Sequence, residues 1–321
     1  MEEKKLYPFR FIPIEDVEGQ KVHIADLGYQ DSLVRNGWLA GNSISEIMDM
    51  YMDRVVGENV FDYYGRQFPL LVKWYSVKGR SNLTVHPDDE LAEQRFDFLG
   101  KSKIIYITKA SADSRLYLGF AKDTNAGEFF SACSDNSTEG LLNIVKPSAG
   151  EFFYIYPGLV HAFENVDYLE ISESSPLDFQ LYAWGGKMEG DEIDEGLTLE
   201  EALDFIDYKK FQRRGLEECR EFSVSPVEVV DPVHVRNDRN EEFVIYICAG
   251  GEVSVQVPFE DETGAGKMDS TSLKCGESIL IPAEVEEYFL VAKERGTMLI
   301  EAASRKKVEE NSYLNTNNGL S

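Results

Sequence analysis

Two distant segments of the chain repeat one pattern of strands and turns. Val145 to Asn165 reads VKPSAGEFFYIYPGLVHAFEN, and Leu273 to Val291 reads LKCGESILIPAEVEEYFLV. Each runs from a strand end through a glycine and an acid into an apolar strand, a proline turn and a further strand. Two copies of one jelly-roll half-motif predict two β-barrels in series.

The remaining sequence agrees with a mainly β protein. Short runs rich in aromatic and β-branched residues, such as FPLLVKWYSV and KIIYIT, are bounded by turn residues. We expect an N-terminal barrel with helical segments over residues 1–185, which holds the active site. A helical linker over 186–221 and a structural C-terminal barrel over 222–321 are expected to follow.

The charge of the chain excludes some classes of partner. Its net charge is −26 and its pI is about 4.5, whereas nucleic acids and anionic membranes require clustered Lys and Arg. The N-terminus lacks the apolar core of a secretion signal, and no apolar run approaches the length of a membrane span. The four cysteines form no CxxC pair. They are interpreted as buried or free thiols of a cytoplasmic protein.

The chain has only four histidines, and two of them have a setting that suits chemistry. His86 ends a strand-like run and His161 opens one, each beside a turn that contains proline. Both a structural role and a role as metal ligands remain open for this pair. His23 and His234 lack such a setting and are interpreted as structural or surface residues.

The second copy of the repeat has no histidine. Where His161 would fall, the residues are Val285, Glu286 and Glu287. The second barrel is therefore predicted to bind no metal.

Several motifs, in one order, resemble those of a known family. FPLLVKW, LTVHPDDELAE, GKSKIIYI and GEFFYIYPGLVHAF are followed by YLEISESSPLDFQLYAWG. The last of these resembles the family segment LEIQQSSDTTYRLYDW. Together they resemble the class I mannose-6-phosphate isomerases of the short bacterial form, which are cupins. The resemblance implies two cupin barrels, aldose–ketose isomerisation of a sugar phosphate in carbohydrate metabolism, and zinc or a similar divalent metal.

The resemblance also implies roles for single residues. The metal-binding histidines of the family fall on His86 and His161, and an active-site lysine falls on Lys101. The remaining family positions carry other residue types here: Thr84 replaces the ligand Gln, Lys103 replaces the ligand Glu, and Gln180 replaces the catalytic Arg. We therefore expect catalysis by Lys101 and Lys103, substrate binding by Gln180 and Thr84, and a metal site that is weakened or absent.

Three interpretations of Lys103 remain open. In the first, Lys103 points away from the site and Glu170 joins His86 and His161 as a substitute metal ligand. In the second, the Lys103 ammonium occupies the place of the metal and binds a substrate oxygen. In the third, catalysis has been lost and the chain is a repurposed sugar-binding or regulatory cupin.

Overall fold

The computed structural model describes residues 4–15, 20–185, 199–237, 242–260 and 263–305. The chain divides into two compact units, and neither is a continuous stretch of sequence. Unit 1 comprises Met1–Ile12, Asp31–Pro69 and Arg220–Ser321, and unit 2 comprises Pro13–Gln30 and Leu70–Cys219. The boundaries predicted at residues 185 and 221 remain a prediction, and residues 186–198 of the predicted linker lie outside the described residues.

The helices are short and few. The α-helices are α1 (Ile44–Tyr51), α2 (Asp53–Val56), α3 (Glu58–Tyr64), α4 (Asp89–Phe96), α5 (Ala126–Ser134) and α6 (Leu199–Ala202). Short 3-10 turns span Gly37–Leu39, Thr138–Leu141, Leu203–Phe205 and Leu216–Glu218. None of the helices in the described ranges is long and apolar enough to cross a membrane.

Unit 2 contains one sheet of nine strands, which corresponds to the N-terminal barrel expected from the sequence. The strands are β1 (Ile14–Glu15), β2 (Gln20–Ile24), β3 (Leu70–Arg80), β4 (Leu83–Val85), β5 (Lys103–Phe120), β6 (Leu142–Val145), β7 (Phe152–Ile155), β8 (His161–Glu173) and β9 (Phe179–Tyr182). Neighbouring strands follow the order β1-β2-β3-β8-β4-β9. Strand β5 joins this sheet by pairing with β8, and it also pairs with β6 and β7. Strand β8 is central, because it pairs with β3, β4 and β5.

Unit 1 contains two four-stranded sheets. Its strands are β10 (Phe222–Val229), β11 (Val233–Arg236), β12 (Val244–Gly250), β13 (Glu252–Glu260), β14 (Gly266–Lys274), β15 (Ser278–Ile281), β16 (Glu287–Ala292) and β17 (Thr297–Ser304). The sheet orders are β10-β17-β12-β15 and β11-β16-β13-β14. Ile279 and Leu299 of the first sheet share one buried core with Val255 and Leu290 of the second. The mainly β, cupin-like class predicted from the sequence is confirmed.

The repeated turn has the same atomic structure in both units. Gly150 and Gly276 have positive φ angles of 91° and 83°. The carboxylate of the following acid accepts a hydrogen bond from the backbone three residues earlier, Ser148 N to Glu151 Oε2 at 2.7 Å and Lys274 N to Glu277 Oε2 at 2.8 Å. Glycine is required because a Cβ atom is disfavoured at positive φ.

Candidate functional site

The two histidines selected from the sequence meet inside the barrel of unit 2. The Nε2 atoms of His86 and His161 are 3.2 Å apart, and their rings are 4.8 Å apart at the centroids. Both side chains are buried. Thr84, two residues before His86, places its Oγ1 3.2 Å from His161 Nε2.

Backbone carbonyl groups set the tautomers of both rings. His86 Nδ1 lies 3.0 Å from the Leu177 carbonyl oxygen, and His161 Nδ1 lies 2.9 Å from the Leu159 carbonyl oxygen. A carbonyl oxygen only accepts, so each Nδ1 carries the proton and each Nε2 presents a lone pair to the interior. Burial, followed by the nearby charge of Lys103, lowers the pKa of His161 to about 4 and that of His86 well below its usual value. Both rings are therefore neutral at neutral pH.

A bulge in β8 lets His161 and Glu170 face the same interior. Residues an odd number of positions apart on a regular strand point to opposite faces. Asn165 interrupts the alternation with a left-handed φ of 49° and pairs with neither neighbouring strand. Accordingly Phe163 and Tyr168, five residues apart, have ring centroids only 4.7 Å apart. Asparagine tolerates this conformation better than most residues.

The Pro-Gly turn before β8 ties the two histidines together. Gly158 N donates to the His86 carbonyl oxygen at 2.8 Å, and the Gly158 carbonyl oxygen accepts from Asp207 N at 2.9 Å. Gly158 has a φ of 85°, and a Cβ atom there would lie 2.8 Å from the Phe205 carbonyl oxygen. The turn thus requires glycine for both its conformation and its space.

Replacing Gly158 by alanine is expected to lower the free energy of unfolding by about 1–3 kcal/mol or more, because backbone strain is added to a clash with a carbonyl group. Urea unfolding measures the loss. Gly150→Ala is the matched control, since Gly150 has a similar φ of 91° but nothing within 4 Å of the added Cβ. Equal losses in the two variants would show that the clash at Gly158 contributes nothing.

Two lysines and two carboxylates lie beside the histidines. Lys101 Nζ is 2.6 Å from Asp178 Oδ2, and Lys103 Nζ is 3.3 Å from Asp178 Oδ1 and 3.4 Å from Glu170 Oε2. Asp178 Oδ1 is also 3.1 Å from His86 Nδ1. Lys103 points inward, with only 7% of its side chain exposed. Asp178 therefore joins both lysines to the histidine pair.

The charges of this cluster stabilise one another. Burial acts to lower the pKa of Lys103, but Asp178 and Glu170 outweigh it and hold that pKa above its usual value. Partial burial acts to raise the pKa of Asp178, whose side chain is 43% exposed, but Lys101 and Lys103 outweigh it and hold that pKa well below its usual range. Lys103 is therefore an ammonium group, and Asp178 a carboxylate, at neutral pH.

A third lysine faces the cluster from β3. Lys73 lies directly opposite Glu170 in the β3–β8 pair, so the two side chains share a face. Burial and then the positive charge of Lys101 lower the pKa of Lys73 to about 8. In the described part of the chain, Lys73 forms no ion pair with a carboxylate, whereas Lys101 and Lys103 each form at least one. The cluster thus has an excess of positive charge.

Most residues selected from the sequence lie in this region. Thr84 pairs with His161 of β8 and Gln180 of β9, and the Gln180 side chain accepts a hydrogen bond from Asn82 Nδ2 at 2.8 Å. Glu170 contacts Lys103 and accepts a hydrogen bond from Ser172 Oγ at 3.2 Å.

His23 and His234 do not take part in the cluster. His23 is buried with its ring centroid 6.2 Å from that of Trp74, and His234 forms a surface pair with Glu287 at 2.6 Å.

Sequence reasoning missed Asp178. The sequence feature that could have identified it is its position two residues before Gln180, because this spacing places both side chains on the same face of an extended segment. In the motif of the resembling family a threonine stands at the position of Asp178. The chain thus gains an acid at Asp178 and carries Lys103 in place of an acid, two changes that lie far apart in the sequence.

The donor groups suit only half of the zinc site that the resemblance implies. Two nitrogen ligands of one tetrahedral zinc ion lie about 3.3 Å apart, so the His86–His161 spacing suits half of such a site. The other half does not fit. Thr84 offers a neutral hydroxyl, and Lys103 brings a buried ammonium where a carboxylate is needed. Two unit positive charges at 4 Å repel by about 4 kcal/mol at an effective dielectric of 20, and a divalent ion doubles this.

The remaining side chains do not complete the shell. Among the described residues, no group of three or more His, Cys, Asp or Glu side chains is placed to bind a metal. Glu170 faces the Lys103 ammonium, and Asp178 faces the Nδ1 side of His86. The residues present therefore do not fit the zinc site of the family.

No family model matches the chain, but individual relatives do. A probable mannose-6-phosphate isomerase of Bacillus subtilis, GmuF, is 29% identical over 222 residues, which cover 67% of this chain and 62% of the relative. The match thus spans less than two thirds of that relative. Further curated relatives with this activity in their names are 25–28% identical.

Solved structures agree in fold. The mannose 6-phosphate isomerase of Bacillus subtilis has a TM-score of 0.74 at 20% identity, over 92% of this chain and 99% of that one. A zinc-bound mannose 6-phosphate isomerase has a TM-score of 0.69 at 12% identity, over 93% and 99%. The cupin-like fold is thus shared with a zinc-bound structure.

Proposed function

We propose that this chain, a homologue of the mannose-6-phosphate isomerases, binds a sugar phosphate in the barrel of unit 2 and interconverts its aldose and ketose forms. The observation that supports this most is the convergence of Lys101 and Lys103 on Asp178, beside two buried neutral histidines. Positive charges positioned in advance in a buried site stabilise oxygen atoms that become negative during a reaction. The cytoplasmic localisation predicted from the sequence belongs to this proposal.

The residues present suit an isomerisation through an enediolate. The reaction moves one proton from the carbon beside the carbonyl group to the carbonyl carbon and one proton from the hydroxyl oxygen to the carbonyl oxygen, and it consumes no oxidant. Lys101 and Lys103 would donate hydrogen bonds to the two substrate oxygens while these carry the negative charge. Thr84 and Gln180, adjacent across the β4–β9 pair, would bind substrate hydroxyl groups.

One observation favours a second candidate function, a sugar-binding cupin without turnover. Gln180 stands where the resembling family has its catalytic Arg, and it is hydrogen-bonded to Asn82. A glutamine can orient a sugar hydroxyl, but it cannot supply the charge of a guanidinium group.

A turnover assay separates the two functions. Purified protein is incubated with mannose 6-phosphate in deuterated water, and NMR follows the appearance of the ketose and the exchange of the proton at C2. The isomerase proposal expects both signals, and their loss in Lys101→Met. Binding of mannose 6-phosphate by calorimetry without either signal would reject the isomerase in favour of the binding protein. Absence of both binding and turnover would reject both.

A further inference from the structure

The Lys103 ammonium is positioned by carboxylates from two separate parts of unit 2. Glu170 lies in the second half of β8, and Asp178 lies just before β9. Lys103 is the first residue of β5, and its backbone lies opposite Ser172 of β8. A flexible lysine side chain is thus held in a buried position by contacts with two separate segments of the chain.

Lys103 and Asp178 both differ in charge from the residues at the same positions of the resembling family. Lys103 replaces a metal-ligand carboxylate of the resembling family, and Asp178 replaces a neutral threonine. The two residues form an ion pair at 3.3 Å, and each has a second partner, Lys101 for Asp178 and Glu170 for Lys103. A buried charge is tolerated when it is paired and hydrogen-bonded.

We propose that the Lys103 ammonium, positioned by Asp178 and Glu170, replaces a divalent metal as the cation of this site. The catalytic part of this inference rests on the proposed function, whereas the metal-binding part does not. The ammonium has three N–H donors, and the two carboxylates account for two of them. The carbonyl oxygen of an open-chain sugar phosphate, which becomes an enediolate oxygen, is the acceptor for the third. Lys103 stays protonated throughout, so it contributes charge and transfers no proton.

Zinc binding tests the proposal without reference to turnover. Wild-type protein and Lys103→Glu are stripped with EDTA, equilibrated with zinc, desalted and analysed for zinc per chain. The wild type is expected to retain no stoichiometric zinc. Lys103→Glu is expected to retain one zinc per chain, because it removes an ammonium and adds a carboxylate beside His86 and His161. Adding His161→Ala to Lys103→Glu is expected to abolish that zinc.

Three variants separate the charge of Lys103 and Asp178 from the size of their side chains. Lys103→Gln removes the ammonium without adding a carboxylate, so it is expected to bind zinc more weakly than Lys103→Glu. Asp178→Asn is expected to raise the KM for mannose 6-phosphate and to lower kcat, and Asp178→Glu is expected to restore much of the loss. Rescue by the longer acid indicates a positioning charge, because a purely structural role would be disturbed by either change.

Several results would overturn the proposal. One is stoichiometric zinc in the wild type that is lost in His161→Ala, and this measurement does not depend on whether Lys103→Glu folds. Another is a folded Lys103→Glu that retains no zinc. Turnover of the EDTA-treated wild type supports the ammonium centre, whereas turnover that requires added zinc overturns it. Metal-free protein that never turns over would reject the isomerase while leaving the zinc-binding comparison valid.

Discussion

Replacing Lys103 by methionine is expected to lower the free energy of unfolding by about 3–5 kcal/mol, the usual cost of removing one partner of a buried ion pair. Glu170 is 2% exposed, and Lys103 is its cation at 3.4 Å. Methionine fills most of the volume of lysine, so little of the lost stability comes from a cavity. Most of it comes from the carboxylate that has lost its cation. Urea unfolding followed by circular dichroism measures it, with the two units fitted as separate transitions.

The double variant Lys103→Met/Glu170→Gln isolates this cause. Removing both charges leaves no unpaired charge in this pair, so most of the lost stability is expected to return. The Ser172 hydroxyl, which donates to Glu170 at 3.2 Å, can still donate to the side-chain amide oxygen that the substitution introduces. If the double variant were no more stable than Lys103→Met, the pair between Lys103 and Glu170 would contribute nothing to folding.

Replacing Lys73 by methionine is expected to weaken the binding of mannose 6-phosphate by about tenfold to a hundredfold, as expected for one hydrogen bond to a charged group. Of the lysines that face the cluster, Lys101 and Lys103 contact carboxylates, whereas Lys73 has no such contact in the described ranges. It is the cation best able to hold the anion of the ligand. Isothermal titration calorimetry measures the change.

The same interaction is expected to depend on pH. The pKa of Lys73 is lowered to about 8, so the side chain is charged below this pH and neutral above it. Affinity for the anion should therefore fall as the pH rises through about 8, while the sugar phosphate itself remains a dianion. The charged groups that face Lys73 are Lys101, Lys103, Glu170 and Asp178.

Three variants control this prediction. In Lys73→Met the fall in affinity around pH 8 should disappear, and in Lys73→Arg affinity should persist to higher pH, because arginine keeps its charge. Lys78→Met, on the exposed part of β3, should leave both affinity and pH dependence unchanged. A Lys73→Met variant with the wild-type pH profile would show that another group holds the anion.

The strands could be predicted where the residues are apolar and alternate, and less well elsewhere. The apolar runs KIIYIT (103–108) and RLYLGF (115–120) each predict a strand, but the structure makes them parts of one strand, β5. The polar residues between them, such as Ser111 and Asp113, have little strand propensity. They continue the strand because β5 pairs with β8 on either side of an irregularity between Ala110 and Arg115. Pairing across the sheet thus overrode local preference.

The site could be predicted where a motif marks it. His86 and His161 have the setting of turn and strand that marks a barrel interior, and the structure brings their Nε2 atoms to 3.2 Å. Asp178 has no such setting, because its role depends on Lys101 and Lys103, which lie far from it in sequence. In the sequence, Lys73 is one of several scattered basic residues, with Arg66, Lys78 and Arg80. Its position opposite Glu170 follows from the register of β3 on β8, which the sequence does not specify.

The bulge at Asn165 has a consequence for how this barrel could change its chemistry. Beyond Asn165, the interior receives Tyr168, Glu170 and Ser172, while Leu169 and Ile171 point to the other face. One residue fewer in the strand would exchange these two sets, since the alternation would slip by one position. Deleting one residue would thus change this part of the interior from charged to apolar. Every other residue of β8 would stay the same.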